Sequence, residues 1–499
     1  MRFGHRSLSL LFPLSFLLLA ASFGQSEPPT TNKAQSASPG SAPQSWKQIP
    51  IPPLHSFHPQ EPKRIELANG LVIFLQEDHE LPLINGRIRI RGGQRDEPAG
   101  KAGLNGIYAE VWRTGGTRSK TGDELDDFLE IRAASVEASP GIDSSSLGWS
   151  SLKEDFDRVL PVVMDLLQNP EFRQDKVDLA KQQLLSIILR RNDDAGEIAQ
   201  REAVRIAYGR DNPYARIPEY YTVAAITRDD LLQWHKRTFA ANNMILGVAG
   251  DFDSAVMEKK LREAFAKLPK GQPFPKIKVA FHEPVPGIYL VQKEDVNQST
   301  VEMLGLGIER RNPDYYAVEV LNELFGSGFN SRLFSNIRTR LGLAYSVGGG
   351  IGAAFDHPSL QRFSASTKSG STAAVIQALR TQIDDLIKNG VKEDEVQKAK
   401  DSILNSFIFS FDSKEKVLAE RMAYEFYGYP ADFLERYRSG IEKVTPADVD
   451  RVARQYIHPQ QLATLVVGNS KDFDRDLATF GKVTTIDITI PQKPPKSGD

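Results

Sequence analysis

The chain has 499 residues, of which 40% are hydrophobic and 25% charged, and carries a formal net charge of -2. That length exceeds one ordinary core and predicts two or more domains, and the near-neutral charge gives no basis for a nucleic-acid partner. Cysteine is absent, which excludes a disulfide framework, a thiolate metal site and a lipid-anchor cysteine.

At the start of the chain Arg2, His5 and Arg6 precede an apolar run from Leu8 to Ala21 and the small residues Ser22 and Gly24, the pattern of a cleavable secretory signal over residues 1–24. The run contains Pro13 and several serines and falls short of the ~20 apolar residues a span needs, so no stable membrane span is expected after cleavage. An exported chain without cysteine points to a bacterial periplasm. Residues 25–60 are Pro- and Ser-rich, with nine of the thirty prolines lying between Glu27 and Pro62, and are expected to be a tether. His55 and His58 fall inside it, as solvated side chains.

Ordered elements begin at RIELANGLVIFLQED (64–78), two strands around an Asn69-Gly70 hairpin signal. INGRIRIRGG (84–93) alternates apolar and basic residues, as a strand with one wet face does. In GLNGIYAEVWRTGGTRS (103–119), Leu104, Ile107, Tyr108, Val111 and Trp112 recur at helical spacing and predict a buried stripe. A polar helix (GDELDDFLEIRAA), an edge strand from Ser135 to Leu152, a helix from Asp155 to Leu167 and a long helix from Lys176 to Arg191 follow. This order is α+β.

An internal repeat sets the domain plan. The segments starting at Thr227 and Thr445 each read as N-cap, helix, turn, buried strand and glycine, at a constant offset of 218 that aligns Asp230 with Asp448 and Gly250 with Gly468. The expected organisation is therefore two repeated domains, each a mostly antiparallel sheet with helices packed on one face. They span 61–270 and 288–485, joined by a proline-rich linker (271–287) and followed by a tail (486–499).

The layout of NGL-strand, strand, R-D-E-P-x-G-K-x-G-L, helix, a second similar domain and F-N-S-R-L-F-x-x-I-R-x-x-x-G-L-A-Y resembles the pitrilysin or insulinase family of zinc peptidases. Mitochondrial processing peptidase is similar too. The resemblance extends over roughly residues 60 to 485. Members that cut peptides carry H-x-x-E-H on the opening helix. Two His four residues apart meet one Zn²⁺, and the Glu takes a proton from its bound water. Aligned on Gly103-Leu104, those positions fall on Gly106, Ala109 and Glu110, and the family's later Glu ligand falls on Ile187. No Asp or Glu occurs from Leu179 to Asn192, and His79, His235, His282, His357 and His458 are scattered singly, as surface or capping residues. No cofactor is expected in this chain.

In the second domain the resemblance assigns Arg338 and Tyr345, seven residues apart, to the substrate carbonyl, with Arg340 a rival for the Arg role and Arg332 and Asn330 holding the turn. A guanidinium fork and a phenol are suitable donors for developing oxyanion charge. The Gly348–Gly350 run gives backbone freedom beside Tyr345. Single-chain relatives enclose substrate between two halves of two domains each, and this chain makes one half. The resemblance implies a non-catalytic, substrate-binding subunit of a heterodimeric zinc metallopeptidase. Its partner would be a paralogous subunit with an intact H-x-x-E-H motif and the zinc, and its substrates peptides. The competing reading is a structural or peptide-binding scaffold of the same fold with no role in hydrolysis.

Overall fold

The computed structural model describes residues 59–492. The expected signal, the tether through residue 58 and the end of the tail lie outside them. Among the described residues no helix is long and apolar enough to cross a membrane.

The first half runs β1 (Lys63–Glu66), β2 (Val72–Glu77), β3 (Leu83–Arg91), α1 (Leu104–Thr114), α2 (Gly122–Glu130), β4 (Ser135–Pro140), β5 (Ser144–Leu152), α3 (Phe156–Gln168) and α4 (Gln174–Arg190). It continues with α5 (Ala195–Tyr208), α6 (Tyr220–Ala224), α7 (Arg228–Thr238), β6 (Met244–Gly250) and α8 (Ser254–Phe265). Its sheet has the order β1-β2-β6-β3-β5-β4. Only the β2–β6 pair is parallel. Ile73, Leu75, Ile88 and Ile90 point from one face into a core closed by α1, α3, α7 and α8. The stretch expected as a single strand from Ser135 to Leu152 is a hairpin, because Pro140-Gly141 turns the chain, and β4 alone forms the edge.

The second half repeats the plan: β7 (Gly287–Gln292), β8 (Gln298–Leu306), β9 (Ile308–Glu309), α9 (Tyr315–Asn322), β10 (Ser346–Ile351), β11 (Ala353–Ala354), β12 (Leu360–Lys368) and α10 (Thr372–Asn389). Then come α11 (Glu393–Phe407), α12 (Lys414–Tyr427), α13 (Phe433–Lys443), α14 (Pro446–Tyr456), β13 (Ala463–Gly468) and β14 (Val483–Thr485). The order β10-β12-β8-β13-β7-β14 mirrors the first sheet, and β9 pairs separately with β11. The repeat read from the sequence corresponds to α7–β6 and α14–β13. In each, a threonine N-cap and an aspartate three residues on satisfy one another's backbone N–H, Thr227 with Asp230 and Thr445 with Asp448.

The mostly antiparallel sheets with helices on one face are as expected, but each second face is covered too. On the first sheet, Val72, Phe74, Ile245 and Ala249 lie under Leu418, Met422 and Phe426 of α12, a helix of the second half. On the second sheet, Val291, Leu304, Leu465 and Val467 lie under Ile198, Ala199 and Ala203 of α5, a helix of the first. The halves exchange one helix each. The wet face expected for β3 is consequently covered at one end, where the Arg89 and Arg91 guanidinium groups lie 3.8 and 4.1 Å from the centre of the Phe426 ring. The start of the expected tail is also engaged: Ile486 and Ile488 pack beside α5, the Ile486 N–H donates to the Leu290 carbonyl at 2.8 Å, and Ile490 reaches the first core.

Candidate functional site

Helix α1 begins where Glu97 turns back on it. One carboxylate oxygen accepts the Gly103 N–H at 2.9 Å and the other the Asn105 N–H at 2.6 Å, which satisfies donors that the first turn of a helix leaves unpaired. Burial pushes the Glu97 carboxyl up to about 7. Leu104, Ile107, Tyr108, Val111 and Trp112 form the buried stripe that their spacing predicts. Trp112 Nε1 donates to the Leu166 carbonyl at 2.7 Å. Tyr108 Oη pairs at 2.9 Å with His235 Nδ1, whose other nitrogen meets the Leu167 carbonyl at 3.1 Å. His235 is thus a core residue, not the surface or capping histidine its isolation in the sequence suggested.

On the other side of α1, a side chain added at Gly106 would meet no atom within 4 Å, and Glu110 is exposed one turn further on. Ala109 is buried. Ile187, on the neighbouring α4, is 65% exposed and lines an apolar groove of about 690 Å³ with Leu184, Ile217 and Pro218. These residues offer open space, one carboxylate and hydrocarbon where the family's zinc would be held, and they do not fit that ion. Among the described residues no group of three or more His, Asp or Glu side chains could hold a metal.

The second half presents Arg338 and Tyr345 differently. Residues Phe334–Arg340 form a π-helix whose Leu333 and Ile337 side are buried. Arg332 fastens it from below, with 2.8 and 2.7 Å bonds to Glu395 and a 2.8 Å bond to the Gly390 carbonyl. Asn336 donates to Gln382 at 2.6 Å. Asn330, expected to share the turn, makes no side-chain hydrogen bond among the described residues. With the inner side held, Arg338 and Arg340 face outward and form no ion pair among the described residues. The Arg338 guanidinium rests 4.7 Å from the centre of the Phe334 ring, which meets Phe329 edge-on at 5.0 Å.

The chain then turns at Gly342, where φ is +62°, and enters β10 at Ser346. Tyr345 is tied by its backbone, donating to the Ser366 carbonyl at 2.8 Å, while its side chain stays 58% exposed with no hydrogen-bond partner among the described residues. The glycine run beside it serves a close approach. A methyl group on Gly326 would collide with the Gly349 carbonyl, and the Asn322 amide bonds both the N–H (2.8 Å) and the carbonyl (2.9 Å) of Ile351.

These features define a class: an α+β protein of two similar halves in which, among the described residues, α1 is built and anchored but carries no metal-ligand set, while the second half presents an arginine without an ion pair and a phenol without a hydrogen-bond partner. Residues 225–403, which include both Arg338 and Tyr345, match the model of the family described as the peptidase M16 inactive domain, in line with the resemblance read from the motifs. Among proteins it is similar to, a "non-peptidase homolog" of Helicobacter pylori is 24% identical over 420 residues, 82% of this chain and 94% of that one. An "uncharacterized zinc protease" of Mycobacterium leprae is 26% identical over 75% of this chain and 84% of its own. The crystal structure of a peptidase M16 inactive domain from Pseudomonas fluorescens has the same fold, with a TM-score of 0.73 at 23% identity over 82% of this chain and 98% of that one. A Helicobacter pylori protease also gives a TM-score of 0.73, at 19% identity over 82% of this chain and all of its own.

Proposed function

We propose that this chain is the non-catalytic, substrate-contacting subunit of a periplasmic, heterodimeric zinc metallopeptidase, working with a paralogous subunit that carries H-x-x-E-H and the metal. The observation that carries the reading is the contrast between the two halves. Gly106, Ala109, Glu110 and Ile187 supply no ligand set, while Arg338 and Tyr345 stand exposed, with no ion pair or side-chain hydrogen bond among the described residues. The name of the Helicobacter relative, a non-peptidase homolog, agrees with the first part.

In this reading the reaction takes place on the partner, and this chain contributes position and charge. The scissile carbonyl gains negative charge in the transition state, and the Arg338 N–H groups and the Tyr345 O–H donate to that oxygen. Because π-helix and strand already hold both groups, little reorganisation is needed as the charge develops. The cation–π contact with Phe334 limits the arcs through which Arg338 can swing.

The test is co-expression with an H-x-x-E-H paralogue, purification of the pair and hydrolysis of a quenched fluorescent peptide. Arg338→Ala and Tyr345→Phe are each expected to lower kcat/KM by ~100-fold without loss of the complex. Full activity in both variants would leave the scaffold reading in its place.

A further inference from the structure

Phe329 is a large aromatic side chain left in water. It is 79% exposed and belongs to none of the buried apolar clusters of the chain. The backbone fixes its place. The Ser331 N–H donates to the Gly328 carbonyl at 3.0 Å, which makes Phe329 and Asn330 the central pair of a tight turn between the π-helices Glu323–Ser327 and Phe334–Arg340. The ring that Phe329 meets is that of Phe334, edge-on with the centres 5.0 Å apart.

Phe334 joins that ring to the site. It is half-buried, lies outside the same clusters, and has the Arg338 guanidinium 4.7 Å from its ring centre. Phe329, Phe334 and Arg338 therefore form one contiguous row. Leu341 and Tyr345, both exposed, follow in the same stretch of chain. A single apolar side chain on a surface needs no explanation. Aromatic rings in contact with an arginine are another matter, since recognition surfaces concentrate these residues, whose rings give a large contact area for little loss of conformational freedom.

We propose that Phe329 and Phe334 set the substrate specificity of the site, as an aromatic shelf for a large apolar side chain of the peptide residue next to the carbonyl held by Arg338. This inference rests on the reading of Arg338 as a donor to that carbonyl. Successive Cα atoms of a peptide are about 3.8 Å apart, so a side chain beside a carbonyl bound to Arg338 reaches a ring whose centre is 4.7 Å from the guanidinium. Docking there removes apolar surface of both the substrate and Phe329 from water. An acidic side chain at the same position gains nothing from the rings and draws Arg338 away from the carbonyl, so the shelf selects against Asp and Glu.

The experiment takes the chain co-purified with its H-x-x-E-H paralogue and quenched fluorescent peptides that differ only at the two residues flanking the cleaved bond, with Ala, Leu, Phe or Glu at each. The readout is the ratio of kcat/KM for the Leu or Phe peptide to that for the Ala peptide, which a general loss of folding or assembly does not move. At one of the two positions the wild-type ratio is expected to be about 10 or more. Phe329→Ala should lower it by about 10-fold, and Phe329→Leu, which keeps an apolar side chain, should retain most of it. Phe334→Ala reads the same shelf and should also lower the ratio. Ratios unchanged in both alanine variants, while Arg338→Ala and Tyr345→Phe still slow hydrolysis, would overturn the shelf and leave the reading of the site in place. A wild-type preference for Glu at both positions, which an arginine by itself produces, would overturn it as well. Full activity in the Arg338 and Tyr345 variants would remove the reading of the site and the shelf together.

Discussion

His235 shows how much a single side chain's role depends on what surrounds it. Its ring is locked between the Tyr108 hydroxyl and the Leu167 carbonyl, and burial brings its pKa down from 6.5 to about 4. Below pH 6.5 the unfolded chain takes up a proton that the folded chain refuses. Stability is therefore complete above that value and is lost as pH falls toward about 4, where the folded imidazole also titrates. His235→Phe is expected to lessen the fall in urea midpoint over that window relative to wild type. Parallel curves for the two proteins would show that His235 does not supply the pH dependence. At the same scale, Glu97→Ala would strand the Gly103 and Asn105 N–H groups at the start of α1 and should cost about 2 kcal/mol in urea unfolding. Glu97 was not singled out from the sequence, although an acid shortly before an amphipathic run is the available signal.

Among the elements, the clearest agreement between sequence and structure lies in the repeated α7–β6 and α14–β13 units. A threonine cap, an aspartate three residues on and a buried strand are all local features, so the pattern survives even where Trp234 is matched by Val452. Thr227→Ala and Thr445→Ala should each cost about 1 kcal/mol by the same measurement. The short π-helix Glu323–Ser327, which precedes the one carrying Arg338, depends instead on a long-range fit. Gly326→Ala would drive a methyl group into the Gly349 carbonyl and force the helix from β10, with an expected loss of about 1–3 kcal/mol and a matching fall in the activity of the complex. Retained stability would mean that the strand yields more easily than its packing implies.

For the whole molecule, the exchange of α5 and α12 joins two repeats that would otherwise be separate domains. Leu418 and Met422 belong to the second half in sequence but bury the outer face of the first sheet. Leu418→Ala should therefore lower stability by about 2–4 kcal/mol and reduce hydrogen-exchange protection in β2 and β6 as well as in α12. Calorimetry of the wild type is expected to give one cooperative transition for both halves. Two resolved transitions would mean that the exchanged helices contribute little.

The sequence alone determined the α+β class, the repeat, the buried stripe of α1 and the absence of ligand side chains at Gly106, Ala109 and Ile187, because periodicity, capping and residue chemistry are properties of short segments. It also marked Arg338 and Tyr345, through spacing and family pattern. Only the tertiary structure decided that Arg89 and Arg91 lie beneath a helix more than three hundred residues away, that Ile486 and Ile488 pack instead of trailing, and that His235 belongs to a core. Each of those depends on which distant surface covers a face, and a local pattern specifies that a face is apolar or charged without specifying its partner.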